Sequence, residues 1–504
     1  MSDTLREERR QKLAALRERG IDPFEQTRYE RNTDIAAIHA RFSHLESGEE
    51  SNHHVRIAGR VVGRRVMGGL SFLDVRDEQS QIQLFAAKDD LDEALYEHFT
   101  EIEIGDIVGA SGIVFRTKRG ELSVKIDDLT LLAKALRPLP EKWQGLKNVE
   151  ARYRRRYLDL IANPDVREVF RTRSRMIRAM RDCLDDEGFL EVETPVLQPL
   201  YGGAFARPFT TYHNELDQTL YLRISDELYL KRLIVGGLEK VYEIGHNFRN
   251  EGVSAKHNPE FTMMECYQAY ADYEDMMALT EQLVFHMAQS LGKPTLEYQG
   301  QEIDLTPPWP RLTLHEAIRQ KTEIDIETHA DHDSLTGAIR DAGLSVESKP
   351  TWGGLVDELL SEYVEPDLVQ PTFLKDYPLE ISPLAKQKSD ASHLVERFEV
   401  FVIGREIGNA FTELNDPIDQ RERFLDQRAQ REHGDEEAQE LDEDFIEAME
   451  HGMPPTGGLG IGVDRLAMLF TDSPSIRDVI LFPALRRQAD GSSHADEERS
   501  ANGE

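Results

Sequence analysis

The spacing of hydrophobic residues changes along the chain, and each pattern predicts a different kind of element. Leucine and alanine recur at helical spacing among charges in residues 3–19, which predicts an exposed amphipathic helix. From 55 to about 134, five short β-like runs alternate with turns and predict a small β-barrel. An arginine-rich helix is predicted at 165–187, ended by Gly188, and a mixed α/β region follows it to about 485.

Shifts in composition divide the chain into segments. A polar link closes the N-terminal part, two prolines mark a linker after the barrel, and the last residues lack apolar periodicity, which predicts disorder. The predicted segments are a helical extension (1–50), a barrel domain (51–136), a linker or hinge (137–164), a large α/β domain (165–487) and a disordered acidic tail (488–504).

The composition argues against a membrane protein and against a disulfide-rich secreted protein. Hydrophobic residues make up 39% of the chain, and no apolar run approaches the length of a transmembrane helix. The N-terminus contains no apolar stretch of the signal-peptide type. The two cysteines, Cys183 and Cys266, match no metal-ligand spacing, so the sequence predicts a soluble protein of a reducing cytoplasm.

Charge is distributed unevenly. The net charge of −34 argues at first against a polyanionic partner. Residues 1–150, however, carry 23 Lys and Arg against 27 Asp and Glu, and ten arginines fall within 152–181. Locally basic surfaces therefore remain available, and nucleic acid stays among the predicted partners.

The predicted barrel carries side chains suited to single-stranded nucleic acid. Such barrels stack unpaired bases on aromatic rings and hold the backbone with basic residues. Phe72 and Phe85 lie in separate β-runs, Gln83 can pair with the edge of an unstacked base, and Arg65 lies in the first run. For Phe72, base stacking and core packing are equally open. For Phe85, in the apolar run IQLF, a position inside the barrel is favoured.

Three stretches of the large domain combine glycine, proline and charge in apolar surroundings. The first, GFLEVETPVLQPLYGGAFARPF, spans 188–209. The second, YEIGHNFRNEGVSAKHNPEF at 242–261, has strand-like ends around a highly charged loop. The third joins GREIGNAFTELND (404–416) to PPTGGLGIGVDRLAMLF (454–470), a glycine-rich strand that leads into an amphipathic helix.

The charges in these stretches suit nucleotidyl transfer. The guanidinium of Arg249 can bind phosphate oxygens, with Glu251 as an acceptor and His257 as a weaker cation or a donor. Glu399 and Glu406 are seven residues apart, so in one strand they would face opposite sides, and a shared Mg²⁺ site requires a bulge or bend between them. Further polar residues suggest a pocket for a cation: Glu227, Glu265, Tyr267, Asn409 and Glu413.

These stretches resemble motifs 1, 2 and 3 of the class II aminoacyl-tRNA synthetases. The resemblance lies in GFLEVETPVL with Pro195, in the FRNE at 248–251 and in the GLGIGVDR at 458–465. Within that class the chain is similar to the lysyl-tRNA synthetases of bacterial type. The segments that carry this similarity are RPLPEKWQGLKNVEARYRRRYLDL, GGAFARPF, RNEGVSAKHNPEFTMMECYQAYADY and GREIGNAFTELNDP, and the similarity extends from about residue 5 to about residue 487.

The resemblance implies an α+β protein with two main domains. Residues 51–136 would form an OB-fold barrel that reads the anticodon, and residues 165–487 would form the class II catalytic domain, an antiparallel sheet flanked by helices. The implied protein is a homodimer through motif 1, with Pro195 near the interface. The implied activity is that of a cytoplasmic lysine–tRNA ligase, which uses ATP and Mg²⁺ to join lysine to tRNA(Lys).

The resemblance also implies roles for individual residues at matching motif positions, with Arg249, Arg465 and Glu251 at the reacting centre. The implied ATP-binding residues are Arg249, Glu251, His257, Asn258, Phe261 and Arg465. The implied lysine-binding residues are Gly203, Glu227, Arg249, Glu265, Tyr267, Asn409 and Glu413. Glu399 and Glu406 would hold Mg²⁺, and the anticodon would contact Phe72, Gln83, Arg65 and Phe85.

Three other functions fit part of the pattern. A synthetase for aspartate or asparagine shares the barrel and motifs, but it needs a cationic side-chain pocket, and Glu265 and Glu413 argue against one. A lysyltransferase that acts on a protein lacks the anticodon barrel. A non-catalytic RNA-binding or regulatory protein would be marked by loss of Arg249, Glu406 or Arg465, and all three are present.

Overall fold

The computed structural model describes residues 2–140, 146–432 and 441–486. The chain divides into two compact units, Met1–Asn163 and Pro164–Glu504. The predicted disordered tail, 488–504, lies outside the described residues. Within the described ranges, no helix is both long enough and apolar enough to cross a membrane.

The first unit contains the predicted barrel. Its helices and strands, in chain order, are α1 (Ser2–Glu18), α2 (Ile35–Arg41), β1 (Glu50–Met67), β2 (Leu70–Arg76), β3 (Gln81–Ala87), α3 (Glu93–Glu101), β4 (Ile107–Arg116), β5 (Leu122–Ala133), α4 (Val149–Arg154) and α5 (Arg156–Ala162). The strands close in the order β1-β2-β3-β5-β4, with β3 and β5 parallel. The sequence did not predict α3, and the predicted linker 137–164 contains α4 and α5.

Alternation along β2 and β3 decides which side chains fill the barrel. Leu73 and Val75 of β2 and Leu84 of β3 are buried in the barrel core. The intervening side chains point outward, because successive residues of a strand face opposite sides. Phe72 and Phe85 are such residues, they pair across the two strands, and both are half-buried. The interior position favoured for Phe85 is therefore wrong.

The second unit is built around one large sheet. Its helices and strands are α6 (Pro164–Asp186), β6 (Leu190–Glu191), β7 (Leu197–Gln198), β8 (Thr210–His213), β9 (Gln218–Leu222), α7 (Glu227–Val235), β10 (Lys240–Phe248), β11 (Glu260–Ala269), α8 (Tyr273–Ser290), β12 (Thr295–Tyr298), β13 (Gln301–Asp304), β14 (Arg311–Thr313), α9 (Leu314–Thr322), α10 (His332–Asp341), α11 (Trp352–Tyr363), β15 (Thr372–Pro378), β16 (Leu394–Val402), β17 (Arg405–Thr412), α12 (Pro417–Glu432), α13 (Glu443–Glu450), β18 (Thr456–Gly462), α14 (Val463–Phe470) and α15 (Ile476–Val479).

Strand order in this sheet is β14-β15-β16-β17-β18-β11-β10-β6 among the described residues. The central pairs are antiparallel, as the resemblance implied. The outermost pairs, β14 with β15 and β10 with β6, are parallel, so the sheet is antiparallel at its centre and mixed as a whole.

The two faces of the sheet have different characters. On β11, Met264 and Cys266 belong to a hydrophobic core shared with Met276 and Met277 of α8. Glu265 and Tyr267 alternate with them and therefore face the opposite side. Asp272 starts α8 with a capping box, in which its side chain accepts hydrogen bonds from the backbone N–H groups of residues 274 and 275. The apolar face of the sheet therefore packs against α8, and the polar face is available for a binding site.

Candidate active site and nucleic-acid interface

A cavity of about 370 Å³ lies against the polar face of the sheet. Every residue expected to bind ATP, lysine or Mg²⁺ lines it. These residues are Gly203, Glu227, Arg249, Glu251, His257, Asn258, Phe261, Glu265, Tyr267, Glu399, Glu406, Asn409, Glu413 and Arg465. They come from separate parts of the chain, so the fold brings them together.

The β10–β11 hairpin positions Arg249 at the cavity. The backbone N–H of Arg249 donates to the carbonyl oxygen of Pro259 at 2.9 Å, which extends the hairpin past its last strand residues. The guanidinium carbon lies 5.2 Å from the centre of the Phe261 ring, within cation–π range. Nε of Arg249 is buried, and no described residue accepts a hydrogen bond from it. A buried guanidinium donor without an acceptor suits an anionic ligand.

The loop between these strands divides into cavity and surface positions. Burial, followed by the charge of Arg465, lowers the pKa of His257, so a neutral imidazole that can donate one hydrogen bond is expected at pH 7. Asn258 uses its amide locally, donating from Nδ2 to the carbonyl oxygen of Glu260 at 2.5 Å. Lys256 is exposed at the rim. His246 is exposed too, with Nδ1 lying 3.7 Å from a carboxylate oxygen of Glu260.

Glu399 and Glu406 lie on neighbouring strands rather than on one strand. The chain reverses between β16 and β17 at Ile403 and Gly404, which both have positive φ. The pairing register also shifts between Val400 and Phe401, which is the irregularity that a shared site required. The two carboxylates thereby line the same cavity.

The two carboxylates have different electrostatic surroundings. Burial raises the pKa of Glu399 to about 7, although Arg397 donates to it at 2.6 Å. Burial also raises the pKa of Glu406, but Arg465, at 3.0 Å, together with Arg397 and Arg249 outweighs it, and the net pKa lies below the ordinary value. Two partly buried carboxylates on one cavity wall fit a hard divalent cation, which prefers oxygen ligands.

The other end of the cavity is strongly acidic. Ser225 donates from Oγ to Glu265 at 3.1 Å, and the Tyr267 hydroxyl lies 3.4 Å from the same carboxylate. Burial raises the pKa of Glu265 well above its ordinary value, and nearby Asp226 adds to the effect. Burial also raises the pKa of Glu413. Buried carboxyls of this kind hold a proton or a cation, which makes this end suitable for an ammonium group.

The outer face of the barrel carries the predicted nucleic-acid residues. The Phe72 and Phe85 rings have centres 5.4 Å apart, and the guanidinium carbon of Arg65 lies 5.8 Å from the Phe72 centre. Gln83 is buried beside them, and its Oε1 accepts a hydrogen bond from Ser123 at 3.1 Å. Phe115, which was not predicted, continues the row at 5.4 Å from Phe85. Such a row of rings is suited to stacking unpaired bases.

Comparison with known proteins gives two family matches. Residues 148–486 match the tRNA synthetases class II (D, K and N), and residues 55–132 match the OB-fold nucleic acid binding domain. Curated relatives named lysine–tRNA ligase include proteins from Pelotomaculum thermopropionicum, Roseiflexus castenholzii and Halalkalibacterium halodurans. They are 55%, 56% and 52% identical, over 95–96% of this chain and 94%, 98% and 96% of the respective relatives.

The chain belongs to the lysine–tRNA ligase family of class II synthetases. This membership confirms the resemblance stated from the three motifs and the fold class, which comprises an OB-fold barrel and a class II catalytic domain. The synthetases for aspartate and asparagine share the matched domain, but the named relatives act on lysine. The comparisons therefore support lysine, rather than aspartate or asparagine, as the amino acid.

Steric crowding around the cavity explains two of the glycines of this ligase. A Cβ atom on Gly458 of β18 would lie 2.6 Å from the Tyr267 ring and would collide with a carboxylate oxygen of Glu413. Gly203 has φ +85°, and a Cβ there would lie 2.9 Å from Oγ of Ser225. Both positions need glycine because the cavity walls approach the backbone closely.

Several buried charged residues beside the cavity were not predicted from the sequence. Arg397 donates from Nε to Asn409 at 2.9 Å, and Asp464 accepts a hydrogen bond from the backbone N–H of Thr262 at 2.8 Å. Lys231 is fully buried and contacts Glu227 at 2.5 Å. The sequence signal that could have pointed to Lys231 is its position four residues after Glu227, because residues four apart on a helix are neighbours.

Proposed function

We propose that the chain activates lysine with ATP to form lysyl-adenylate and then transfers the lysyl group to the 3′ end of tRNA(Lys). The observation that carries this proposal is the division of one cavity into a cationic and an acidic end. Arg249 and Arg465 lie at the first, and Glu227, Glu265 and Glu413 lie at the second. Lysine carries two ammonium groups and one carboxylate, so it fits across both ends, with its carboxylate toward ATP.

The acidic end selects lysine. Gly203 and Glu227 would meet the α-ammonium group, and Glu265, Tyr267, Asn409 and Glu413 would complete the side-chain pocket. Glu413 has no measurable exposure to solvent. Lys231 already pairs with this carboxylate, so an amino acid without a side-chain ammonium would leave the remaining negative charge at this end without a cation, and the cost of that buried unpaired charge supplies the selectivity.

The cationic end carries the chemistry. The lysine carboxylate attacks the α-phosphorus of ATP in line, and pyrophosphate leaves. Arg249 would neutralise charge that develops on the α-phosphate, and Arg465 and His257 would hold the outer phosphates. Glu251 would meet the adenine amino group, Phe261 would stack on the ring, and Asn258 lies at the same wall. No side-chain nucleophile is required, because positioning and charge stabilisation carry this type of transfer.

The second step uses the same site. The 3′-hydroxyl of the terminal adenosine of tRNA attacks the adenylate carbonyl, and AMP leaves. In the first step, Glu399 and Glu406 would hold Mg²⁺, which would supply additional positive charge to the triphosphate of ATP. Both carboxylates line the same wall of the cavity and are partly buried there, and this placement supports the assignment.

The barrel would recognise the anticodon, and Phe72, Phe85, Gln83 and Arg65 share its outer face in support of that role. We also propose a homodimer through motif 1, because Leu190 and Leu197 near Pro195 are 52% and 46% exposed. Such apolar exposure suits a subunit interface. We assign the enzyme to the cytoplasm, where free buried thiols such as Cys183 and Cys266 remain reduced.

The proposal is tested by ATP–pyrophosphate exchange with lysine, aspartate or asparagine as the amino acid. We expect exchange that depends on lysine and on added Mg²⁺, followed by charging of tRNA(Lys). The Glu413→Gln variant is expected to raise the KM for lysine while leaving the KM for ATP close to the wild-type value. Exchange that responds to aspartate and ignores lysine would exclude the proposal. Light scattering at twice the chain mass would test the dimer.

A further inference from the structure

Lys231 lies behind the acidic wall of the cavity. It lies one helical turn after Glu227 on α7 and has no exposure to solvent. Its Nζ donates to Oε1 of Glu227 at 2.5 Å, forms an ion pair with Glu413, and lies 5.5 Å from the centre of the Phe411 ring. Both carboxylates and Phe411 line the cavity. Lys231 therefore contacts the lining from behind and acts on a ligand only through these residues.

The carboxylates at this end of the cavity outnumber the ammonium groups, which leaves an excess of negative charge. Three carboxylates, those of Glu227, Glu265 and Glu413, face one internal ammonium group, that of Lys231. Arg397, another cation of the wall, is paired with Glu399 at 2.6 Å. Asp226 lies outside the lining and pairs with Arg223 at 3.6 Å. Full ionisation of the three lining carboxylates therefore leaves two negative charges without an internal ammonium partner. Substrate lysine brings two ammonium groups, its α- and ε-amino groups, and so balances the site.

The buried position makes this balance energetically important. Burial raises the pKa of Glu413 and of Glu227, and in both cases Lys231 is the largest influence in the opposite direction. Without Lys231, a third buried carboxylate would face the substrate's two ammonium groups. It would then take up a proton instead of binding an ammonium group.

We infer that Lys231 is a positioning residue whose ammonium group sets the charge of the amino-acid pocket to match the two ammonium groups of the substrate. The inference rests on the proposed lysine site. It assigns part of the specificity to a residue that does not touch the substrate. A pocket kept at this charge rejects a side chain of similar length without an ammonium group, such as norleucine, because the rejected ligand leaves Glu413 without its second partner.

The experiment compares the Lys231→Met variant with wild-type enzyme and with Lys134→Met. Lys134 is a matched control in the barrel unit, because it is 5% exposed and its Nζ lies 2.7 Å from Glu103 and 2.9 Å from Asp106. Both variants remove a buried ammonium group that bridges two carboxylates. ATP–pyrophosphate exchange is measured for the full chain with lysine and with norleucine, between about pH 6.5 and pH 8.5, and melting temperatures are recorded.

For Lys231→Met we expect a rise of about tenfold or more in the KM for lysine, with a change below about twofold in the KM for ATP. Discrimination against norleucine falls. The value of kcat/KM for lysine also rises with pH more steeply than in wild type, because the variant's carboxyls have higher pKa values and ionise later. The titratable and charged groups that face this site are Glu227, Glu265, Glu413, Asp226, Tyr267 and Arg397. The pKa values of Tyr267 and Arg397 are raised from ordinary values that are already high, so these two groups keep their protons across this pH range and only the carboxyls shape the profile.

For Lys134→Met we expect a lower melting temperature and unchanged exchange kinetics. A parallel loss of kcat with both substrates in Lys231→Met, at unchanged KM for lysine and unchanged norleucine discrimination, would overturn the inference, because that is the result of a purely structural role. If Lys231→Met does not fold, Lys231→Gln replaces it under the same expectations, since glutamine donates hydrogen bonds without carrying charge. Wild-type exchange that ignores lysine would instead refute the proposed function.

Discussion

Replacing Phe72 with alanine should separate tRNA charging from amino-acid activation. Phe72 is half-buried on the outer face of the barrel, where its ring pairs with Phe85 and lies under the Arg65 guanidinium. Its neighbours along β2, Leu73 and Ser71, point into the core. The substitution therefore removes a stacking surface and leaves the interior of the barrel unchanged.

The magnitude follows from the interaction that is lost. Stacking of one base on an aromatic side chain contributes about 1–3 kcal/mol. That energy corresponds to a loss of roughly 5- to 150-fold in kcat/KM for tRNA. By contrast, truncation of a phenylalanine in a closed core costs about 3–5 kcal/mol of stability. Because Phe72 is half-buried and outward-facing, we expect a smaller loss of stability than for a core position.

The assay measures two reactions of the same preparation. Lysine-dependent ATP–pyrophosphate exchange reports adenylate formation, and aminoacylation reports the step that needs tRNA. For Phe72→Ala we expect exchange within about twofold of wild type and aminoacylation reduced by the factor given above. Phe72→Trp should restore charging, because it keeps a ring for stacking. Leu84→Ala, at a fully buried position of the next strand, is the matched control for damage to the barrel.

Two outcomes would contradict the prediction for Phe72→Ala. Equal loss of exchange and charging in Phe72→Ala, together with a melting temperature as low as that of Leu84→Ala, would show that Phe72 acts in the core. Charging that remains at the wild-type level would show that no base stacks on this ring.

Three further predictions concern the catalytic unit. Arg249→Lys should lower kcat/KM for exchange by about two orders of magnitude, because a lysine cannot replace two parallel guanidinium hydrogen bonds, and a rate near wild type would contradict this role. Burial raises the pKa of Glu399 to about 7, so a proton would compete below that pH with the Mg²⁺ proposed to bind there. The Mg²⁺ concentration for half-maximal exchange should fall as pH rises through about 7, and Glu399→Gln should abolish this dependence. Gly458→Ala should raise the KM for lysine more than that for ATP in steady-state exchange, because its Cβ would meet Tyr267 and Glu413; equal changes would contradict the crowding argument.

The barrel shows how far the alternation of side chains along a strand can predict which of them face the core. The β-runs were predicted because short apolar segments with glycine turns have few other interpretations. The run IQLF alternates correctly, with Leu84 inside and Phe85 outside. Its apolar content nevertheless favoured the wrong side for Phe85. Which side of a strand faces the core depends on the strands it pairs with, and here Phe85 joins Phe72 and Phe115 in an aromatic row that the sequence of β3 does not contain.

The carboxylate pair shows a limit of a different kind. In one strand, the seven-residue spacing of Glu399 and Glu406 would place them on opposite faces, so a shared site required a bulge or a bend between them. Positive φ at Ile403 and Gly404 provides the bend by turning the chain back. Glycine signals such a turn only weakly, and isoleucine argues against positive φ. Pairing with the neighbouring strands decides the conformation.

Buried counter-ions are the hardest part of the site to predict. Lys231 and Glu413 lie 182 positions apart in the sequence, yet their ion pair fixes part of the charge that a ligand meets. In the run ELYLKRL, Lys231 cannot be distinguished from an exposed helical lysine. Helix spacing places it beside Glu227 but does not show that both residues are buried. Motif residues identify where the reaction occurs. The charge of the pocket, and with it the preference for a substrate with two ammonium groups, depends on residues such as Lys231 that only the folded sheet and helix bring to the carboxylates.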